Sequence, residues 1–338
     1  WLMILQRHRR EDLAGRRWDG NDSELLEGTA LAETCVDYRG DDVVLAGDGD
    51  DTLLSDAGND LLIGGSGNDL IRTTEGDDTI IGGPGQDLIE AQFGKKLILF
   101  RRGDGNDRIA LSNTSTATNI HLWDNTLQFG AGITSAMVKV FSSGADLVLR
   151  IRGTEDSVTL VNTYERWNKP NPATCPIQLV RFDDGIRWDL AELIQRSLIG
   201  EEGDDWLWGT LDDDTILGGA GNDTLVGDGG NDLLRGGPGS DQLLSLEGND
   251  TLDGGPGSDL LRATVGANTI LYAPGDGAEK HDGAKNGEQS RASRLRLRGG
   301  VVGIDGCGDR MTTYNAEHAE HAEIACTKGI LRVPRALR

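Results

Sequence analysis

The stretch GGSGNDLIRTTEGDDTIIGGPGQDLIE, residues 64–90, decides the fold. Within it Asp69, Asp78 and Asp87 stand nine residues apart, each preceded two positions earlier by Gly67, Gly76 or Gly85 and followed two positions later by Ile71, Ile80 or Ile89. Each unit reads as six turn residues and three strand residues. Side chains alternate across a strand, so the central aliphatic points inward and its neighbours outward. Glycines supply the positive φ values and close backbone approach that a tight turn needs.

The same rule extends outward in both directions. It holds at Asp42, Asp51 and Asp60, and returns at Asp205, Asp214, Asp223, Asp232, Asp241, Asp250 and Asp259, with Asn268 in an eighth unit of that block. The one break in the glycines is Asp212, where Gly is expected before Asp214. Two units make a coil of about 18 residues, and stacked coils give a two-sided roll with a ladder of Leu, Ile and Val inside. The predicted fold class is therefore all-β: two right-handed parallel β-rolls of nonapeptide repeats, at 37–96 and 199–271, separated by an antiparallel β-rich module at 97–198. Residues 1–36 read as an incomplete N-terminal segment, since the chain opens on Trp1, and 272–338 as a degenerate second module with an atypical basic tail.

Charge follows the repeats. The chain of 338 residues has a formal net charge of −23, yet residues 37–94 hold 14 Asp and Glu against 2 Lys and Arg, and residues 199–271 hold 15 against 2. Everything outside these blocks is close to neutral. Such acidity argues against nucleic acid and anionic membrane surfaces as partners and favours cations. No run of 18 apolar residues offers a transmembrane helix, and Cys35, Cys175, Cys307 and Cys326 lie too far apart to form a ligand-spaced pair.

Stacking brings Asp residues 18 apart in sequence to roughly one strand spacing, about 4.8 Å. Columns of bare carboxylates at that distance repel, and a hard divalent cation with oxygen ligands removes the repulsion. Ca²⁺ suits the donors better than Zn²⁺, because no Cys or His stands at these positions, and better than Mg²⁺, which demands stricter geometry. A merely solvated acidic face would accept Glu, Ser or Lys at the Asp positions. None of the thirteen carries one.

Units such as GGSGNDLIR (64–72), GGPGQDLIE (82–90), GGAGNDTLV (218–226) and GGPGSDLLR (254–262) resemble the RTX, or haemolysin-type, calcium-binding nonapeptide. The resemblance implies that each calcium sits between turns 18 residues apart. It takes carbonyls from the second and fourth positions and the Asp of one turn, and carbonyls from the first and third positions and the Asp of the next. By position that assigns Gly65, Gly67 and Asp69 with Gly82, Pro84 and Asp87; Gly219, Gly221 and Asp223 with Gly236, Pro238 and Asp241; and Gly237, Gly239 and Asp241 with Gly254, Pro256 and Asp259. The same rule adds Gly47, Gly49, Gly64 and Gly218. Pairs of Asp units 18 apart give four sites in the first block and five in the second, with Asp250–Asn268 a weaker tenth, so about nine or ten Ca²⁺ are expected. Gly-Gly openings recur in every second unit, which places them on one edge and predicts tighter binding there.

Between the blocks, LILF (97–100), AMVKVF (136–141), DLVLRI (146–151) and SVTLV (157–161) read as antiparallel strands, with RGDGND (102–107) as a turn and a short helix capped near Asp189. This region resembles the haemolysin-type calcium-binding related module, and the favoured reading is a structural plug. Residues 82–107 align without gaps with 254–279, and each roll is expected to run out where Lys96 or Asn268 replaces Asp. In the tail, EHAEHAE with His318 and His321 reads as a short Ala-rich polar helix, and RVPRALR lacks the acidic ending common in type I secretion signals. Neither HExxH nor GxSxG occurs, so no catalytic residue is expected in this chain. The reading is a secreted, extracellular calcium-binding segment that folds on Ca²⁺ outside the cell, with calcium and the type I secretion machinery as partners and no cell-surface target specified. The alternative is the C-terminal part of an exported toxin or hydrolase, such as a protease or lipase, whose catalytic domain lies outside this chain.

Overall fold

The computed structural model describes residues 23–36, 39–111, 124–164 and 174–272, together with the strand segments 6–9, 280–281, 294–297, 300–303, 311–313, 322–327 and 330–332. His318, His321 and the closing residues 333–338 lie outside them. Two compact units emerge, one of residues 1–166 and 171–193, the other of residues 167–170 and 194–338.

In the first unit each coil contributes one strand to each of two sheets. Val43–Asp48, Leu61–Ser66 and Thr79–Ile81 pair in parallel in one sheet, and Thr34–Val36, Thr52–Ala57, Leu70–Glu75 and Leu88–Ala91 in the other. The register places Val44, Leu62, Ile80 and Ile98 in one inner ladder and Cys35, Leu53, Ile71 and Ile89 in the facing one. All of them are buried in a single core. The alternation expected from one aliphatic per unit is therefore what builds the interior.

The parallel stacking does not stop at Lys96. Leu97–Phe100 pairs in parallel with Thr79–Ile81 on one side and with Thr126–Phe129 on the other, which in turn pairs in parallel with Leu179–Arg181. On the opposite sheet Asn106–Leu111 joins Leu88–Ala91 to Ser157–Leu160, again in parallel. The region expected to be antiparallel is thus mixed. Its inner strands prolong the ladder, and antiparallel pairing is confined to Val138–Ser143 with Asp146–Ile151, Asp146–Ile151 with Ser157–Leu160, and Leu179–Arg181 with Arg187–Asp189. RGDGND, expected to be a turn, ends inside a ladder strand. The core widens here: Phe129 stacks on Phe182 at 5.3 Å, and Phe182 meets the buried Trp188 at 4.3 Å. Asp189 accepts a bond from the Glu192 amide at 2.9 Å and caps the helix Leu190–Ser197, as the sequence indicates.

The second unit repeats the plan. Leu207, Leu225, Leu243 and Leu261 form one ladder, and Ile216, Leu234, Leu252 and Ile270 the other. Asn268 does not end the stack either, since Thr269–Tyr272 pairs in parallel with Arg294–Leu297. Ala322 and Glu323 of EHAEHAE belong to the strand Ala322–Thr327, not to the expected helix. Among the described residues no helix is long and apolar enough to cross a membrane.

Candidate metal-binding turns

Each repeat Asp turns inward at the roll edge and is held by the neighbouring coil. The Asp51 amide donates to Asp69 Oδ1 at 2.8 Å, and the Asp69 amide to Asp87 Oδ1 at 2.8 Å. On the other edge of the same roll Asp42, Asp60 and Asp78 follow the same rule. In the second unit the chains run Asp205, Asp223, Asp241, Asp259 and Asp214, Asp232, Asp250, Asn268. Twelve of the thirteen carboxylates are buried, with Asp205 half-buried. The residue before each Asp adds an outer, exposed ladder, as where Asn68 bonds Asp50 and Asn222 bonds Asp204.

The second carboxylate oxygen divides these residues. Oδ2 of Asp51, Asp69, Asp87, Asp223, Asp232 and Asp241 is buried and accepts no hydrogen bond. By contrast Ser55 Oγ donates to Asp60 Oδ2, Ser245 Oγ to Asp250 Oδ2 at 2.6 Å, the Thr210 amide to Asp214 Oδ2 at 2.5 Å, and the Glu201 amide to Asp205 Oδ2 at 2.9 Å. Asp214 also receives Gln195 Nε2 from the helix above it. Buried polar atoms without partners are costly, so six of them at equivalent positions call for a ligand from outside the chain.

The space for such a ligand is built by glycine. Gly65, Gly67, Gly219, Gly221, Gly237 and Gly239 take positive φ, from 108° to 143° in all but Gly239 at 156°, and so do Gly47 and Gly49. Gly64, Gly82, Gly218, Gly236 and Gly254 are different: none takes a positive φ, and each is needed because a Cβ would fill the turn. At Gly64 it would stand 2.2 Å from Asp69 Oδ2 and 2.7 Å from the Gly82 carbonyl; at Gly218, 2.3 Å from Asp223 Oδ2 and 2.6 Å from the Gly236 carbonyl; at Gly236, 2.2 Å from Asp241 Oδ2 and 2.6 Å from the Gly254 carbonyl. Carboxylate and first-position carbonyl thus converge on one small cradle. The carbonyls of Gly82, Pro84, Gly236, Pro238, Gly254 and Pro256 each accept one amide bond from the preceding turn and keep a second lone pair. An all-oxygen donor set of this kind fits Ca²⁺.

Electrostatics agree with this reading. Burial first, and then the neighbouring carboxylates, push Asp69 and Asp241 up to about 6 and Asp87 and Asp232 up to about 7, while Asp51 and Asp223 are raised in the same way. The anionic form that a metal would take is disfavoured in its absence.

Asp107 extends the set and was hidden in the sequence. It accepts the Asp87 amide at 3.1 Å, and burial, Asp87, Asp104 and Asp156 push it up to about 8. Its signal was present in Gly105, Asp107 and Ile109, but at a spacing of 20 from Asp87 instead of 18. Lys96, which the sequence marks as the end of the pattern, instead turns its ammonium onto Asp78, Gly76 and Phe93 on the other edge.

Four copies of the RTX calcium-binding nonapeptide repeat family match residues 27–62, 63–95, 199–234 and 235–270. These stretches are RTX repeats. The haemolysin-type calcium binding protein related domain matches residues 146–192, inside the region where the first roll is prolonged. Repeats of this family bind Ca²⁺ and serve as structural elements. No curated protein matches the chain. Among solved structures, the extracellular lipase LipA from Serratia marcescens is similar at 15% identity with a TM-score of 0.16, covering 86% of this chain and 40% of its own. The RTX-repeat chain thus spans less than half of that lipase.

Proposed function

We propose that calcium folds both rolls of this RTX-repeat chain by entering the cradles between successive turns, with the repeat aspartates and turn carbonyls as ligands, and that this happens outside the cell after export. The observation that carries the reading is the set of buried Oδ2 atoms that accept no hydrogen bond at Asp51, Asp69, Asp87, Asp223, Asp232 and Asp241. Each becomes a ligand once a cation is present. Pairs of repeat aspartates 18 apart give four sites in the first roll and five in the second, with Asp250 and Asn268 a weaker tenth. The Asp87–Asp107 pair adds a candidate at a spacing of 20.

Cytosol holds little free calcium and the exterior holds much, so weak sites keep the chain extended for passage through an export machinery and fold it on exit. Extracellular sites of this sort have dissociation constants on the order of 10⁻⁴–10⁻³ M. Circular dichroism of the full chain in EGTA, titrated with calcium, tests this. A large gain of β signal with a midpoint in that range is expected. A chain equally β-rich in EGTA overturns calcium-driven folding, and a submicromolar midpoint overturns the export reading.

A further inference from the structure

We infer that Lys96 is a tethered cation that takes the place of calcium where the matched repeats of the first roll end and its ladder is prolonged. Lys96 stands where the repeat calls for Asp, nine residues after Asp87. A lysine at such a place would normally extend into water. Here its side chain has no exposed surface, and its ammonium points back into the roll.

Its partners identify the site. Lys96 Nζ donates to Asp78 Oδ2 at 2.7 Å, to the Gly76 carbonyl at 2.7 Å and to the Phe93 carbonyl at 2.6 Å. In the turns 73–78 and 91–96 these are the carboxylate of one turn, its fourth-position carbonyl, and the third-position carbonyl of the next turn. They are three of the ligands by which calcium would join those two turns. The three donors of an ammonium match the three oxygens, and Asp78 supplies the opposite charge, so this buried ion pair leaves no charge unpaired. A divalent cation could not enter without expelling the ammonium. The backbone confirms that Lys96 belongs to the ladder: its amide donates to Asn125 Oδ1 at 2.8 Å, as the Asp60 amide does to Asp78 Oδ1.

The consequence is a fixed point. The cradles of Asp51, Asp69 and Asp87 wait for a cation, whereas the one bounded by Gly76, Phe93 and Lys96 closes as soon as the chain folds. It adjoins the strands Leu97–Phe100 and Thr126–Phe129, whose Phe100 and Phe129 lead to the aromatic core. This end of the first unit is therefore ordered without calcium and serves as the seed on which the calcium-dependent coils stack.

The inference rests on the calcium reading above, and its test separates the two. Calcium bound per full-length chain is counted by equilibrium dialysis for the wild type, Lys96→Asp and Lys96→Ala, and the near-ultraviolet signal of the aromatic core is melted in EGTA. Lys96→Asp should bind one calcium more than the wild type. Lys96→Ala, which frees the three oxygens, should lose the melting transition in EGTA or lower it by roughly 10 °C, and calcium should restore it. An unchanged count in Lys96→Asp, with calcium bound elsewhere, overturns the assignment of Lys96 alone. So does a melting transition in EGTA that is the same in Lys96→Ala as in the wild type. A wild type that binds no calcium overturns the parent reading.

Discussion

On the edge of the first roll that carries Gly64 and Gly82, and on its counterpart in the second with Gly218 and Gly236, the residue five places before Asp69, Asp87, Asp223 and Asp241 is a glycine, and each of these aspartates keeps a bare buried oxygen. On the opposite edge Ser55 and Ser245, five places before Asp60 and Asp250, donate to their second oxygens, while the Thr210 amide serves Asp214 and Lys96, from the following turn, serves Asp78. Asp232 keeps a bare oxygen on that edge, with Gly227 five places before it; Gly209 stands at the same place before Asp214, where the Thr210 amide makes the bond instead. The difference teaches that one repeat can be tuned, by the donors placed around the second carboxylate oxygen, between demanding a metal and doing without one.

The sharpest way to break this comparison is to remove one carboxylate from each edge. Asp241→Ala deletes a ligand shared by two cradles and strips the Asp223 amide of its acceptor, each loss costing about 1–3 kcal/mol. Asp214→Ala deletes a group already held by Thr210 and Gln195. The calcium midpoint for folding should rise several-fold more for Asp241→Ala; equal shifts would mean the edges are equivalent.

A smaller effect is expected from exchanging the residue five positions before the Asp. Gly64→Ala puts a methyl group against Asp69 Oδ2 and the Gly82 carbonyl, so calorimetry should show one calcium fewer per chain with the fold otherwise retained. Ser55→Gly removes the donor to Asp60 Oδ2 and empties the same space, and should make folding more dependent on calcium. A Gly64→Ala chain with full stoichiometry would show that the glycine serves the backbone only.

The smallest effect is that of protons on the metal-free chain. Asp69 and Asp241 at about 6, and Asp87 and Asp232 at about 7, all lie above their ordinary 3.8, so the folded state without metal binds protons more tightly than the unfolded state. Their contribution to stability is fully present below about pH 4 and disappears as pH rises through 6 to 7. In EGTA the β signal should therefore be stronger at pH 5 than at pH 7.5, and in calcium the difference should shrink. A β signal in EGTA that grows between pH 5 and 7.5 would contradict the bare-oxygen edge.

Both inner ladders and all thirteen repeat aspartates were legible in the sequence, because nine-residue spacing fixes which side chains stack and burial follows from alternation. Asp107 was not, since two extra residues broke the count while Gly105 and Ile109 kept the local rule. Lys96 looked like the loss of a carboxylate; only the fold shows that its stem is long enough to bring a cation into the preceding turn. The parallel strands beyond Lys96 were hidden for a related reason. Their partners lie 29, 51 and 53 residues away, and a strand carries no mark of its partner when the connection between them is so long.

Those unequal spacings say something about where insertions can be accommodated. The ladder from Ile98 through Leu127 to Val180 stays in register although the chain between successive rungs varies widely, because a rung needs only an aliphatic side chain and a strand of a few residues, and lengthening an edge loop adds little closure entropy. Along the thirteen repeat aspartates, where each turn bonds the carboxylate of its neighbour, the loop between rungs has no such freedom and stays at six residues, and only the Asp87–Asp107 step admits two more. The strict nine-residue rhythm is thus imposed at the rim, not by the interior. Past the last carboxylate the same scaffold becomes a rack on which segments of any length can be hung from its edges without disturbing the stack.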